Sequence, residues 1–160
     1  MGVQTLEGFL NPANRLAKGK ADALVLTCID YRYLHVIPEY LHRHNPSLSY
    51  DHTILAGASL GVFTGIYPSW ASTFWEHLEV AIALHGIQTV FILDHRDCGA
   101  YREFEALPEA PHPKSPEYSN YLDLEHTIHK HYMDRLAALI MKSHRSLRVV
   151  TDLLDVPESL

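Results

Sequence analysis

Two short apolar runs, each ending in polar residues, constrain the fold of this chain most strongly. The first is ALVLTCID at Ala23–Asp30 and the second is TVFILDH at Thr89–His95. Short, nearly continuous apolar runs are typical of strands that are buried on both faces of a parallel sheet. Two further candidate strands are His52–Ala56 and Leu147–Thr151. The sequence therefore predicts an α/β fold with a four-stranded, mainly parallel sheet.

Two helices are predicted between these strands. Phe74–His85 has apolar residues at helical spacing and is followed by Gly86, a common helix C-cap, so this helix leads directly into the next strand. Asp123–Ser143 shows the same periodicity before the last strand. Helices that alternate with strands imply parallel pairing. Residues 107–118 contain four prolines, which exclude a regular helix and predict a connecting loop or, alternatively, a lid or a partner-clasping arm.

Length and composition limit the classes of protein that the chain can represent. A single domain spanning residues 1–160 is expected, because single cores usually contain roughly 100–200 residues. No stretch approaches the ~18 consecutive apolar residues of a membrane span. The net charge of −6 comes without a basic stripe, which argues against nucleic acid as a partner. No signal peptide is recognisable, so a cytoplasmic protein with free or metal-bound thiols is expected.

The two cysteines of the sequence both lie near the ends of predicted strands. Cys28 is near the end of the first strand, and Cys98 comes three residues after His95, which ends the strand at 89–95. In α/β sheets, ligands bind at this carboxyl edge. If the two strands are neighbours, two thiolates and one imidazole converge, and this set suits zinc. Three protein ligands leave the fourth position open, as in catalytic zinc sites.

Charged residues accompany the first cysteine. Cys28, Asp30 and Arg32 are spaced i, i+2 and i+4, so in an extended chain all three point to the same side. After the second cysteine, Ala100–Ala106 can open a helix, whose N-terminus would favour the thiolate form of Cys98.

Each candidate ligand also has a purely structural interpretation. Cys28 could be a small buried hydrophobe, and His95 could be a histidine that caps a strand. A thiol-redox pair is disfavoured because the cysteines lack the C-x-x-C arrangement. The joint appearance of the two motifs at two strand ends favours a metal site. The remaining polar-segment histidines are predicted to lie on the solvated surface: His42, His44, His52, His112, His126, His129 and His131.

The two motifs together resemble the β-class carbonic anhydrases. C-I-D-Y-R at Cys28–Arg32 and H-R-D-C-G at His95–Gly99 occur in the family's order, with A-G-A at Ala56–Ala58 between them. The chain is identified as a small, divergent member of that family. The resemblance implies a three-layer fold with strand order 2-1-3-4, which places the first and third strands side by side. It also implies a homodimer or higher oligomer, in which residues 107–118 or the N-terminal segment could embrace the partner.

The resemblance implies an activity as well. Cys28, His95 and Cys98 would hold one zinc ion per chain, and zinc-bound hydroxide would hydrate carbon dioxide reversibly to bicarbonate. Asp30, kept ionised by Arg32, would accept a hydrogen bond from the hydroxide and aim its lone pair at the substrate. Without Arg32, the carboxylate could move onto zinc and close the site. The chain is thus predicted to be a zinc lyase, a carbonate dehydratase.

Several residues near these motifs depart from the family pattern. Lys20 stands where a substrate-polarising glutamine is usual, and Ile54-Leu55 replaces an arginine-asparagine pair. Tyr31 stands where a serine is common, and Asp94 stands where a glycine usually precedes the histidine. These changes alter the expected substrate pocket and leave the metal motif intact.

Two alternative functions follow from these departures. The same zinc chemistry could hydrolyse COS or CS₂ in a more apolar pocket lined by Tyr31, Ile54, Leu55 and Phe63. Alternatively, the chain could be a non-catalytic zinc protein in which Asp30 permanently fills the fourth position.

Overall fold

The fold is described from a computed structural model that covers residues 19–104 and 106–157. Its strands are β1 (Ala23–Thr27), β2 (Tyr50–Ile54), β3 (Thr89–His95) and β4 (Arg148–Leu154). All pairings are parallel, and the order across the sheet is β2-β1-β3-β4. The predicted parallel sheet and its order 2-1-3-4 are confirmed.

The α-helices of the described chain are α1 (Val36–His44), α2 (Ser69–His85), α3 (Gly99–Glu103) and α4 (Tyr118–Ser143). As predicted, Gly86 caps the C-terminus of α2, and it adopts the left-handed conformation with φ 65°. Both predicted long helices are present, and both begin earlier along the chain than their apolar periodicity indicated. Helix α1 was not predicted, because its nine residues are rich in histidine and contain a proline near the start.

The sheet is covered by helices on both faces. On one face, β1 and β3 pack against α2 and α4 through a cluster that includes Leu26, Ile92 and Leu136. On the other face, Val25 and Leu93 pack with Leu41 of α1. All five residues of β1 are buried, so this central strand is apolar on both sides. Each fully buried large aliphatic side chain contributes about 1.5–3 kcal/mol to stability. The predicted three-layer architecture is confirmed.

The chain leaves the sheet earlier after β1 than the sequence suggests. β1 ends at Thr27, and Asp30 accepts a hydrogen bond from the backbone N–H of Arg32 at the start of a short 3-10 helix, Tyr31–Tyr33. This local bond competes with strand pairing. The predicted extension of the strand to Asp30 is therefore wrong, and so is the argument that Asp30 and Arg32 share a side because the chain is extended. The turn itself brings them together.

The proline-rich segment forms a loop. Residues 106–117 contain neither helix nor strand, as their prolines predict. Its role as a lid or as an arm around a partner stays a prediction. Among the helices in the described ranges, none combines the length and apolar character needed to span a bilayer.

Candidate metal centre

The carboxyl ends of β1 and β3 bring the three predicted metal ligands together. Thr27 pairs with Leu93 in the parallel register, so Cys28 lies beside the end of β3. The sulfur atoms of Cys28 and Cys98 are 3.8 Å apart. The potential ligand atoms of Cys28, His95 and Cys98 all lie within 4.8 Å of one another, and all three residues are buried. This cluster could hold a metal ion.

His95 is held in a defined orientation with one nitrogen free. Its Nδ1–H donates to the backbone oxygen of Arg96 at 2.8 Å, and the ring of Tyr33 packs on the imidazole with 4.2 Å between centroids. Its Nε2 is buried and has no hydrogen-bond partner among residues 19–104 and 106–157. An unpaired buried polar atom is costly, and a metal ion bound at this nitrogen would remove that cost.

The two thiols differ in their affinity for a proton. Cys98 hydrogen-bonds to the Cys28 sulfur, and the backbone N–H of Gly57 donates to the same sulfur at 3.2 Å. The hydrogen bond from Cys98 lowers the pKa of Cys28 well below its usual range, and the nearby imidazole of His95 and the Gly57 N–H lower it further, although burial acts in the opposite direction. The contact with Cys28, together with burial, raises the pKa of Cys98. Cys28 is therefore the thiol that gives up its proton more readily, and a divalent metal bound by both sulfurs would displace their protons.

The position of Gly57 requires glycine. Its φ is 77°, a left-handed conformation, and a Cβ atom here would lie 3.3 Å from the Cβ of Ala100. The next residue, Ala58, also has a positive φ of 43°. This strained turn aims the Gly57 N–H at Cys28, which explains why the predicted A-G-A segment belongs to the site.

Arg32 links two carboxylates beside the cluster. Its guanidinium donates to Oδ2 of Asp30 at 2.7 Å and to Oδ2 of Asp97 at 2.7 Å. The hydrogen bond with Arg32 lowers the pKa of Asp30, so that carboxylate is ionised. Asp30 Oδ2 also lies 3.8 Å from Nε2 of His95. The structure therefore brings both predicted catalytic residues to the edge of the three candidate ligands.

A buried polar network behind the cluster was not predicted. His129 was expected on the surface, but it is fully buried and its Nδ1–H donates to Asp94 Oδ2 at 2.9 Å. Asp94 also accepts from the hydroxyls of Ser59 at 2.7 Å and Tyr101 at 2.6 Å. The surface prediction for His129 is wrong because α4 buries a stripe that repeats every four residues along the helix. The members of that stripe are Tyr121, Glu125, His129 and Met133.

Glu125 is the second buried carboxylate that the sequence did not reveal. Its two oxygens accept from the backbone N–H of Asp97 at 2.7 Å and from the Arg96 side chain at 3.0 Å. It precedes His129 by one helical turn, so the two residues lie on the same face of the helix. This spacing was the signal in the sequence that the two polar residues could be buried together.

The remaining sequence candidates lie in different environments. Lys20 is exposed and precedes β1, at the opposite end of that strand from Cys28. Tyr31 and Ile54 are exposed, and Leu55 belongs to the core. Phe63 packs against the guanidinium of Arg135 on α4. The other histidines predicted on the surface are exposed: His42, His44, His52, His112, His126 and His131.

Comparison with known proteins identifies the family of this chain. A sequence profile of the family described as "Putative carbonic anhydrase" matches residues 18–144. The chain belongs to this family. An uncharacterized protein of Rickettsia bellii is 26% identical over 137 residues, which cover 86% of this chain and 78% of that protein. An uncharacterized protein of Rickettsia conorii is also 26% identical over 137 residues, with 86% and 69% covered.

A solved structure shows the same fold as this carbonic anhydrase family member. It comes from work on two tetrameric β-carbonic anhydrases of the filamentous ascomycete Sordaria macrospora. The superposition has a TM-score of 0.51 at 15% sequence identity, and it covers 94% of this chain and 85% of the fungal chain. The resemblance to the β-class carbonic anhydrases is confirmed at the level of family and fold.

Proposed function

We propose that the chain binds one zinc ion through Cys28, His95 and Cys98 and catalyses the reversible hydration of carbon dioxide to bicarbonate. The observation that carries this proposal is the buried, unpaired Nε2 of His95, which lies within 4.8 Å of the sulfurs of Cys28 and Cys98. Two sulfurs and one imidazole suit zinc, and three protein ligands leave a position for chemistry. Family membership supports the same reaction.

The residues of this chain would bind, orient and hold the nucleophile. A zinc ion would act as a Lewis acid that makes hydroxide available near neutral pH, as carbonic anhydrases themselves illustrate with a water pKa of about 7. Asp30 is ionised and therefore only accepts hydrogen bonds, so it would orient a hydroxyl group placed next to it. Arg32 holds that carboxylate in place through three hydrogen bonds from its guanidinium.

A non-catalytic zinc protein is the second candidate. The distance of 3.8 Å between Asp30 Oδ2 and His95 Nε2 favours it, because a carboxylate this close could fill the fourth position. The two candidates differ in the role of Arg32. In the enzyme Arg32 keeps Asp30 available for chemistry, whereas in the non-catalytic zinc protein Arg32 is dispensable.

We further propose a homodimer or larger homo-oligomer in the cytoplasm. The solved relative is described as tetrameric, and three apolar residues near the site are strongly exposed: Ile29, Tyr31 and Leu34. The two free thiols suit a reducing compartment. Light scattering coupled to size-exclusion chromatography measures the assembly, and a monomer at all concentrations would contradict this part of the proposal.

The decisive experiment is a stopped-flow pH-indicator assay of CO₂ hydration on protein with quantified zinc. Asp30→Asn is the test variant, and Asp134→Asn, on the exposed side of α4, is its matched control. We expect activity well above buffer in the wild type and the control, and a loss of at least about tenfold in Asp30→Asn. Stoichiometric zinc without activity from neutral to alkaline pH would refute the proposal, and sulfide release from COS or CS₂ would then be measured.

A further inference from the structure

Glu125 of α4 anchors the loop between His95 and Cys98. The residue is only 1% exposed, so its carboxylate depends on the hydrogen bonds it accepts from the Asp97 N–H and from Arg96. Asp97 has φ 55°, a left-handed conformation that costs free energy for residues other than glycine. The bond to Glu125 compensates this cost. Because Cys98 follows Asp97 directly, Glu125 fixes the backbone from which the thiol projects.

His129, one turn further along α4, anchors Asp94, which lies just before the other end of the loop. Its Nδ1–H donates to Asp94 Oδ2 at 2.9 Å, and neither side chain is accessible to solvent. Asp94 directly precedes His95 in β3. A shift of the Asp94 backbone would therefore move the imidazole and break a buried hydrogen bond. The same helix thus holds the residue before each of the two ligands in this loop.

Asp94 extends this network to the third ligand. It accepts hydrogen bonds from the backbone N–H and the hydroxyl of Ser59, at 3.1 and 2.7 Å. Ser59 lies two residues after Gly57, whose N–H donates to the Cys28 sulfur. The segments that carry or contact all three candidate ligands are therefore tied to α4 through two buried carboxylates, those of Asp94 and Glu125.

We propose that α4 is the positioning element of the metal centre, and that Glu125 and His129 set the metal affinity and the geometry of the ligands without contacting the metal. The inference rests on the metal site of the proposed function and not on its substrate. Partners that orient metal ligands from behind typically change metal affinity by roughly 10–100-fold.

A pair of substitutions at position 129 separates positioning from packing. His129→Asn keeps a side-chain N–H donor near the position of Nδ1, whereas His129→Leu keeps apolar volume and loses the donor. If the hydrogen bond to Asp94 positions the site, His129→Asn retains zinc affinity within about threefold and His129→Leu loses roughly 10–100-fold. If only packing matters, the leucine variant binds zinc better than the asparagine variant, which would overturn the proposal.

A second pair of substitutions, at position 125, tests the proposal independently. It is needed because the leucine of His129→Leu, next to the buried Asp94, could also prevent folding. Glu125→Gln keeps an oxygen for the Asp97 N–H, and Glu125→Met removes it. Ile140→Val is the matched control, because Ile140 is fully buried in the same helix and belongs to the core cluster. We expect zinc affinity to fall roughly 10–100-fold in Glu125→Met, less in Glu125→Gln, and not at all in the control.

Affinity is measured on the full chain by competition with a chromophoric chelator. The visible absorption of the cobalt(II)-substituted protein reports ligand geometry, and it should change in His129→Leu and Glu125→Met and remain unchanged in Ile140→Val. If His129→Leu and Glu125→Met both have the zinc affinity and the cobalt spectrum of the wild type, the inference is overturned and the proposed function remains intact. A wild type that binds metal but does not hydrate CO₂ would refute only the proposed reaction, and one that binds no metal would overturn both.

Discussion

The carboxylate of Asp30 lies 3.8 Å from Nε2 of His95, while both of its oxygens accept hydrogen bonds from Arg32. A metal ion bound to the histidine would thus be within reach of the carboxylate, and the guanidinium competes with the metal for the same lone pairs. In a metal-bound protein, the competition between Arg32 and the metal for this carboxylate would determine whether the fourth coordination position stays open.

Replacement of Arg32 by alanine tests this balance. We expect Arg32→Ala to retain zinc and to lose CO₂ hydration by at least about tenfold, because Asp30 is then free to ligate the metal. The cobalt(II) absorption spectrum should change as a fourth protein ligand binds. Arg43→Ala, on the exposed surface of α1, is the control and should leave rate and spectrum unchanged. Full activity in Arg32→Ala would contradict the role given to the pair.

Removal of the metal should destabilise the fold. A ligand at about 100 times its Kd stabilises the native state by about 2.7 kcal/mol, which corresponds to a Tm change of about 5–10 °C for a chain of this size. We expect chelation to lower the Tm by this amount, in the presence of a reductant, and added zinc to restore it. Differential scanning calorimetry measures the change. Cys98→Ser is the control: a zinc response equal to wild type in this variant would show that the metal binds elsewhere.

Gly57→Ala should destabilise the protein through the turn that serves Cys28. Alanine at φ 77° is strained, and its Cβ would press on Ala100, so we expect a loss of more than about 1 kcal/mol in the free energy of unfolding. Gly65→Ala is the matched control, because no atom lies within 4 Å of its Cβ position. Urea unfolding of both variants measures the difference, and equal stabilities would show that the turn is not strained.

The candidate ligands could be predicted from the sequence because each follows an apolar run that only a buried strand explains. The range predicted for β3 agrees with the structure residue by residue, and the two cysteines leave few choices for a metal site. The pairing of β1 with β3, on which the site depends, came from the family resemblance. Parallel register cannot be read from either strand alone, since each is apolar on both faces.

The buried residues of α4 that support the site could not be predicted, because polar side chains in a sequence usually indicate positions exposed to solvent. His129 and Glu125 are buried only because Asp94, Arg96 and the Asp97 N–H supply their hydrogen bonds across a large sequence separation. The turn at Asp30 was not predicted for a different reason. The hydrogen bond from the backbone N–H of Arg32 to the Asp30 side chain ends the strand at a point where the apolar pattern alone predicts that it continues.

Tyr101→Phe isolates one donor of the Asp94 network. Tyr101 is fully buried and its hydroxyl donates to Asp94 at 2.6 Å, while burial and the charge of Asp94 raise the pKa of Tyr101. The hydroxyl therefore stays protonated and remains a donor. Its loss leaves a buried carboxylate with one donor fewer, and hydrogen bonds to charged groups contribute about 1.5–3 kcal/mol.

We therefore expect Tyr101→Phe to lower the free energy of unfolding by that amount, measured by urea denaturation of the metal-free protein. Tyr132→Phe is the matched control, because Tyr132 is a partly buried tyrosine that packs edge-on against the same ring. Its stability should stay within about 0.5 kcal/mol of wild type. Equal, small decreases in the free energy of unfolding in both variants would mean that the hydrogen bonds from Ser59 and His129 are sufficient for the buried Asp94 carboxylate. The hydroxyl of Tyr101 would then not be needed to stabilise that charge.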